Sequence, residues 1–249
     1  MQNTAILALD QGTSSSRAML FDRAGQLLAS AQQEICCSYP APGYVEQNPD
    51  EIWLSVLAVC RQMLQFADSH HIKVAGLAMT NQRETTVLWR RDNGVAVAPA
   101  IVWQDRRTQA YCASLQAGVL PTASTQQVES TQHTESTQHT ESTQPLSTAQ
   151  PASISAFIQQ KTGLCLDPYF SASKLHYLLQ DPQLRQAAEQ GELAFGTIDS
   201  FLLWRLSAGP APAPIAAAAT DGADSALWFD GQNALHSTDT TNASRTLLF

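Results

Sequence analysis

Two short apolar runs near the N-terminus flank a turn made of small polar residues. Residues 4–10 are apolar enough for a buried strand, and residues 17–22 predict a second strand after the turn. Another turn at 23–26 precedes a third predicted strand at 27–34. Three strands joined by tight turns form an antiparallel meander. The chain must therefore build a sheet that collects polar side chains at the 11–16 turn.

Helix and strand signals alternate in most of the remaining chain. Asn48 followed by Pro49 and two acidic residues is typical of a helix start, and apolar residues continue at helical spacing to position 64. Strands are predicted over 72–79, 85–90 and 101–103, and helices over 105–116, 153–162, 173–180, 182–190 and 197–206. This alternation predicts an α/β fold, with a mixed sheet opened by the meander and flanked by helices.

Two segments, 121–152 and 207–236, contain neither lysine nor arginine. The first repeats the hexapeptide Glu-Ser-Thr-Gln-His-Thr, and the second begins with alternating alanine and proline. Few large apolar side chains are available there to offset chain entropy, so we expect flexible insertions. His133 and His139 recur six residues apart; a metal site is the alternative to a simple by-product of repeat expansion.

The acidity of the chain is concentrated in those two segments. The net charge is −8, and the two segments carry six acidic residues with no basic partner. All 14 basic residues lie elsewhere, so the rest of the chain is nearly balanced. There Arg17, Arg83, Arg106 and Arg107 form a basic set suited to phosphate. The acidic balance argues against a nucleic-acid partner, which would need a basic face.

The composition also bears on compartment. No apolar run reaches the roughly 18 residues of a membrane span, and the N-terminus lacks a basic stretch typical of a signal peptide. Five cysteines occur without a CxxC spacing, which favours neither a disulfide framework nor a zinc site. We therefore expect a cytoplasmic protein with reduced thiols and no integral membrane segment.

The turn from Asp10 to Arg17 has the chemistry of a phosphate-binding loop. Gly12 lets a ligand approach the backbone, and the hydroxyls and amides of 13–16 can donate to phosphate oxygens. Arg17 adds a positive charge, and Asp10 could hold Mg²⁺ through water. The loop is neither a Walker sequence nor GxGxxG, and composition alone leaves an ordinary turn as the alternative.

The stretch ALDQGTSSSRAMLFD resembles the first phosphate loop of the actin/hexokinase/Hsp70 ATPase superfamily, specifically the FGGY carbohydrate kinases. Six further motifs, in the same order, are similar to the members that phosphorylate glycerol: 40–49, 80–86, 101–108, 162–171, 195–199 and 238–246. The resemblance is interrupted only by the two segments without basic residues. It implies an RNase H-like (actin-like ATPase) N-terminal lobe and the cofactors ATP and Mg²⁺.

The resemblance also implies a polyol site. Arg83 and Glu84 match residues that bind the hydroxyls of glycerol, as does Tyr169, and Trp103 matches a residue that packs on its carbon backbone. A small triol has little apolar surface, so charge-assisted hydrogen bonds must orient it. Without the resemblance, an exposed turn pair and two core aromatic residues are the alternative interpretation.

Roles at the phosphates follow from the same resemblance. Thr13, Ser14 and Ser15 match residues that contact the phosphates of the nucleotide, and Arg17 matches one that assists them. Asp10 matches the residue that positions Mg²⁺. These roles fit phosphoryl transfer, which depends mainly on positioning and on neutralising charge.

Members of the family are longer and carry their catalytic base, an aspartate, in a Gly-Asp-Gln motif that these 249 residues lack. We therefore expect residues 1–249 to be an N-terminal lobe, incomplete at its C-terminal end and without the second lobe. Such a chain should be inactive alone as a glycerol-phosphorylating enzyme. The alternatives are a non-catalytic remnant that binds polyol or phosphate weakly and a kinase for a related sugar. The sequence leaves open whether the full-length enzyme forms a homo-oligomer.

Overall fold

The computed structural model describes residues 4–118 and 153–207, together with the backbone of two short strands at 227–229 and 235–237. The predicted insertion at 121–152 lies outside the described residues, as do its repeat and both repeat histidines. Most of the second predicted insertion and the whole 238–246 motif also lie outside them. Both insertions therefore stay predictions.

Ten strands and six helices occur in the described part of the chain. In chain order the elements are β1 (Thr4–Gln11), β2 (Ser15–Asp22), β3 (Leu27–Glu34), β4 (Glu46–Gln47), α1 (Pro49–Ser69), β5 (Lys73–Asn81), β6 (Val87–Arg90), β7 (Ala100–Ile101), α2 (Gln109–Gln116), α3 (Ile154–Thr162), α4 (Ser171–Leu178), α5 (Pro182–Glu189), β8 (Leu193–Gly196), α6 (Ile198–Leu206), β9 (Leu227–Phe229) and β10 (Leu235–Ser237). Helices and strands are intermixed after the first three strands, as expected for an α/β fold.

The main sheet has the strand order β3-β2-β1-β5. β1, β2 and β3 pair antiparallel, whereas β5 pairs parallel to β1. A parallel neighbour requires a crossover, which α1 supplies. The predicted mixed sheet opened by a meander is therefore confirmed. Three two-stranded pairs accompany it, β4 with β7, β6 with β8, and β9 with β10.

Helix α1 covers one face of this sheet. Asn48 caps it by accepting from the amide of Asp50 at 2.9 Å, and Pro49 occupies the first turn. Its apolar stripe is buried against the inward-facing residues of the strands, where Leu7, Leu9 and Leu20 are at most 4% exposed. Burying each such side chain contributes roughly 1.5–3 kcal/mol. This core holds the β1–β2 turn in place.

The opposite side of the sheet, the distal face, carries the alternate residues of each strand. Burial alternates along β1, so Asp10 lies on the distal face while Leu9 and Gln11 lie inward. In register, Gln32 of β3, Arg17 of β2, Asp10 of β1 and Thr80 of β5 form one row across the sheet. A polar row thus borders the turn that the sequence indicates for phosphate.

A second, smaller core lies beyond β5. Leu88, Ile101, Leu175 and Leu178 form its buried centre and join β6 and β7 to α4. This cluster fixes the position of the segment just before α4, which contains Tyr169. Among the described residues, no helix combines the length and the apolarity needed to cross a bilayer.

One helix begins later than the sequence predicts. The pattern predicts a helix from 105, but α2 starts at Gln109. The carboxylate of Asp105 accepts from the amides of Val45 at 2.6 Å and Arg107 at 2.8 Å, which holds the preceding residues in turns. A long-range tertiary contact has therefore replaced the first helical turn.

Candidate functional site

The phosphate loop, residues 12–15, is a tight connection between β1 and β2. The amide of Gly12 donates to the carbonyl of Ser15 at 2.8 Å, and the amide of Ile35 donates to the carbonyl of Ser14 at 3.0 Å. A Cβ atom on Gly12 would lie only 3.3 Å from the Ser15 oxygen, so the turn leaves little room for a side chain. Ser14 is exposed, and Thr13 and Ser15 are half-buried.

The next hydroxyl, that of Ser16, faces the core. It is fully buried and bonds to the Oγ of Ser55 on α1 at 2.7 Å. Ser55 in turn donates to the carbonyl of Ile52 at 2.8 Å, so Ser16 is the donor to Ser55. The hydroxyls therefore divide: three lie at the surface of the turn, and the fourth ties the turn to α1.

Asp10 and Arg17 lie opposite each other on β1 and β2, directly behind the loop on the distal face. The guanidinium of Arg17 donates twice to Oε1 of Gln32, at 3.1 and 2.6 Å. Asp10 is half-buried and has the hydroxyl-bearing Thr80 as its neighbour on β5. One carboxylate beside a hydroxyl suits Mg²⁺, which keeps several waters and shares its shell with phosphates. The described residues contain no group of three or more histidine, cysteine or acidic side chains placed to hold a metal by themselves.

The Arg83–Glu84 pair is divided between solvent and interior. Arg83 is exposed, whereas Glu84 is only 2% exposed. Glu84 also has a φ of +61°, in the left-handed region that non-glycine residues seldom adopt. That conformation costs roughly 1–2 kcal/mol, and surrounding contacts must hold it. Strain and a buried carboxylate at one residue mark this position as a candidate binding site.

Lys174 is the buried cation that accompanies Glu84. Its ammonium is fully buried and donates to the carbonyls of Pro168 at 2.8 Å, Tyr169 at 2.5 Å and Phe170 at 3.5 Å. Burial lowers the pKa of Lys174 to about 8, against the opposing influence of the negative charge of Glu84. Lys174 therefore remains mostly charged at neutral pH. Its only signal in the sequence is a lysine on the apolar stripe of α4, and no motif marks it as a site residue.

Two aromatic rings stand next to the phosphate loop. Trp103 and Tyr169 make an edge-to-face contact with ring centroids 6.1 Å apart. The indole nitrogen of Trp103 donates to the hydroxyl of Thr13 at 3.0 Å. The structure thus brings two predicted polyol residues and one predicted phosphate residue into direct contact.

One arginine of the predicted basic set has a different role. The side chain of Arg107 is 4% exposed and forms ion pairs with Asp105 and Glu46, both at 2.8 Å. It also lies over the ring of Tyr44, 4.1 Å from the centroid. Arg107 is therefore already neutralised by two carboxylates, which makes it less available to a phosphate than its place in the basic set suggests. Its neighbour Arg106 is half-exposed and pairs with Asp167 at 3.1 Å.

Three buried glutamines connect the site, and the sequence predicted a role for none of them. Nε2 of Gln82 donates to Oε1 of Gln47 at 2.8 Å and to Oε1 of Gln11 at 3.2 Å. Nε2 of Gln47 donates to the carbonyl of Thr13 at 2.7 Å. These bonds join β1, β4 and the residue after β5. No local pattern predicts them, because each partner is at least 34 residues away.

The sequence of residues 5–143 matches the FGGY family of carbohydrate kinases, N-terminal domain. The chain is 43% identical over 247 residues to the glycerol kinase of Polaromonas sp. (strain JS666 / ATCC BAA-500), covering 99% of this chain and 38% of that protein. The glycerol kinase of Ralstonia pickettii (strain 12J) is 42% identical over 245 residues, with 98% and 38% covered. The chain thus spans 38% of the length of these curated relatives.

Solved structures support the same fold. The crystal structure of Plasmodium falciparum glycerol kinase with ADP is similar with a TM-score of 0.67 at 24% identity, covering 83% of this chain and 35% of that one. Gluconate kinase from Lactobacillus acidophilus gives a TM-score of 0.59 at 16% identity, covering 82% and 33%. The architecture is the N-terminal lobe of the actin-like ATPase fold. By sequence and by fold, the chain belongs to the FGGY family of carbohydrate kinases.

Proposed function

We propose that these residues are the N-terminal lobe of an ATP:glycerol 3-phosphotransferase, which passes the γ-phosphoryl group of ATP to a terminal hydroxyl of glycerol. The bond between Trp103 and Thr13 carries the proposal, because it joins the aromatic wall, formed by Trp103 and Tyr169, to the phosphate loop at 3.0 Å. Phosphoryl transfer requires acceptor and phosphate in contact, and this arrangement supports that requirement. The 43% identity to a glycerol kinase over nearly the whole chain favours glycerol as substrate.

In this proposal glycerol lies against Trp103 and Tyr169, with its hydroxyls toward Arg83 and Glu84. The Glu84 carboxylate accepts from two hydroxyls, and Arg83 donates to a hydroxyl oxygen from the solvent side. Because Glu84 is buried and strained, its carboxylate is held in place before the ligand arrives. Preorganisation of this kind reduces the entropic cost of binding a small flexible triol.

Nucleotide phosphates in this proposal bind at the β1–β2 turn. Thr13, Ser14 and Ser15 supply hydroxyl and amide donors, and Arg17 adds charge once it turns from Gln32 toward the ligand. Asp10 would hold Mg²⁺ through water, and the ion when bound neutralises charge on the phosphates. The Gly-Asp-Gln motif that carries the aspartate base, as the family resemblance implies, does not occur in these 249 residues. We place the reaction in the cytoplasm, in accord with five cysteines that are all free thiols.

Glu84→Gln in this chain tests the polyol site. The variant keeps the shape but loses the carboxylate, so glycerol affinity should fall about tenfold or more, in line with a lost charge-assisted bond. Binding is measured by NMR titration of the Trp103 indole signal. Glu51→Gln, an exposed acid on α1, is the control and should leave the affinity unchanged.

Xylulose and gluconate titrated in parallel decide between glycerol and a related sugar. Glycerol should bind more tightly than either. Tighter binding of a sugar would transfer the proposal to that substrate. Glycerol binding that is equal in wild type and Glu84→Gln would remove the polyol-site assignment and leave a remnant lobe as the better account.

A further inference from the structure

We propose that a closed ring of hydrogen bonds is a positioning device that holds the phosphate loop in register with the aromatic wall of the polyol site. The inference rests on the proposed function for the identity of both ligands. Its five links are Trp103 N to Thr85 Oγ1 at 3.3 Å, Thr85 Oγ1 to Gln82 Oε1 at 2.9 Å, Gln82 Nε2 to Gln47 Oε1 at 2.8 Å, Gln47 Nε2 to Thr13 O at 2.7 Å, and Trp103 Nε1 to Thr13 Oγ1 at 3.0 Å.

All five links have one fixed polarity. The backbone amide of Trp103 can only donate, so the Thr85 hydroxyl accepts from it and donates its own hydrogen bond to Oε1 of Gln82. The amide group of Gln82 then donates to Gln47. Gln47 in turn donates to the carbonyl of Thr13, which can only accept. The Trp103 amide at one end can only donate and the Thr13 carbonyl at the other can only accept. Together they fix the orientations of the Thr85, Gln82 and Gln47 side chains between them.

The intermediate side chains are buried. Gln47, Gln82 and Thr85 are 2%, 6% and 0% exposed, so water has little access to replace a broken link. A buried polar group left without a partner bears its full desolvation cost, which favours the intact ring over any partly opened one. Thr85 is the junction, because its one hydroxyl contacts both Trp103 and Gln82.

The fifth link bears on the chemistry. The Thr13 hydroxyl accepts from the indole of Trp103, so its own proton points elsewhere. Accepting one hydrogen bond also strengthens the bond that the same hydroxyl donates. A phosphate at the loop would receive that proton, while glycerol would touch the other side of the same indole. Thr85 and Gln82 are positioning residues in this account, since neither touches a ligand.

The first test needs no ligand. Thr85→Val removes the hydroxyl at constant shape, and the Trp103 indole and Thr13 amide NMR signals of the 249-residue chain should move several-fold more than in Thr108→Val. Thr108 is a matched control, because it is 4% exposed and its hydroxyl bonds to Ser173 at 2.8 Å outside the ring. Thr85→Ser retains the hydroxyl and should restore the wild-type signals. Equal shifts at Trp103 and Thr13 in the Thr85→Val and Thr108→Val variants would overturn the ring.

The second test adds glycerol. In wild type, glycerol should move both the Trp103 indole signal and the Thr13 amide signal; in Thr85→Val, it should move the Trp103 signal only. A wild-type spectrum in which glycerol shifts the Trp103 signal and leaves the Thr13 signal unchanged would reject the positioning role. The proposed glycerol site would remain intact in that case. If neither signal responds to glycerol, glycerol is rejected as the substrate. The ligand-free comparison of the Thr85 and Thr108 variants then still tests whether the hydrogen-bond ring exists.

Discussion

The two halves of the candidate site are held by different kinds of interaction. The phosphate loop is fixed by bonds between neutral groups, such as Gly12 to Ser15 and Ser16 to Ser55. The polyol half contains a buried carboxylate, a buried ammonium and a strained backbone at Glu84, with Lys174 donating to three carbonyls. Removing a buried charge partner costs several times more than removing one neutral bond. The polyol half should therefore be the more fragile one and the only one that responds to pH.

Lys174→Met is expected to have the largest effect. The change removes the donor to three backbone carbonyls and a buried positive charge that interacts with Glu84, which should lower the free energy of unfolding by about 3 kcal/mol. Urea unfolding followed by tryptophan fluorescence measures it. Lys161→Met replaces an exposed lysine on α3 and should change stability by less than about 0.5 kcal/mol. Equal losses in the two variants would show that the buried cation is not what holds the polyol half.

Raising the pH should produce a smaller effect of opposite sign. The pKa of Lys174 is lowered by burial to about 8, below its ordinary 10.5, so between these values the unfolded chain binds more protons. Stability from this group therefore rises with pH and should grow by about 1 kcal/mol from pH 7.5 to 9. The gain is read as the difference between wild type and Lys174→Met over that range. A difference that stays flat or falls would contradict the assigned pKa.

Ser16→Ala tests the phosphate-loop half of the site and should have the smallest effect on stability. It removes one buried hydroxyl bond to Ser55 and should cost about 1 kcal/mol, with no dependence on pH between 7 and 9. Ser30→Ala, at an exposed position of β3, serves as the control and should be neutral. A loss of stability in Ser16→Ala that depends on pH would mean that a titrating group also acts on the phosphate loop. The two halves would then not differ in their response to pH.

Local signals predicted the scaffold well. Asn48 and Pro49 predicted the start of α1, and Ser153 and Gly163 predicted both ends of α3, because capping depends on neighbouring residues alone. β8 was missed, since its four residues are too few to show a period. It exists because it pairs with β6. The strands that the sequence did not predict among these, β4 and β8, are short and pair with residues far along the chain.

The same distinction applies to the site. The motifs identified Trp103 and Tyr169 as two separate candidate residues. Only the folded structure shows that their rings are in contact and that Trp103 bonds to Thr13. The burial of Arg107 between Glu46 and Asp105 was not predictable, because an arginine shows no difference in sequence between a free and a paired state. Charge counts report how many groups exist, whereas the tertiary structure decides which of them stay available.

The parallel pairing of β1 with β5 has a consequence for how the site arises in time. Gln11 and Gln82 are 71 residues apart, so they meet only after the whole intervening meander and α1 have been made and folded back. Closing so long a loop is slow compared with forming a hairpin. During synthesis the phosphate loop would emerge and form its hairpin early, well before any of its distant partners. Folding of this lobe should therefore show a fast phase for the meander and a later one in which the site is assembled.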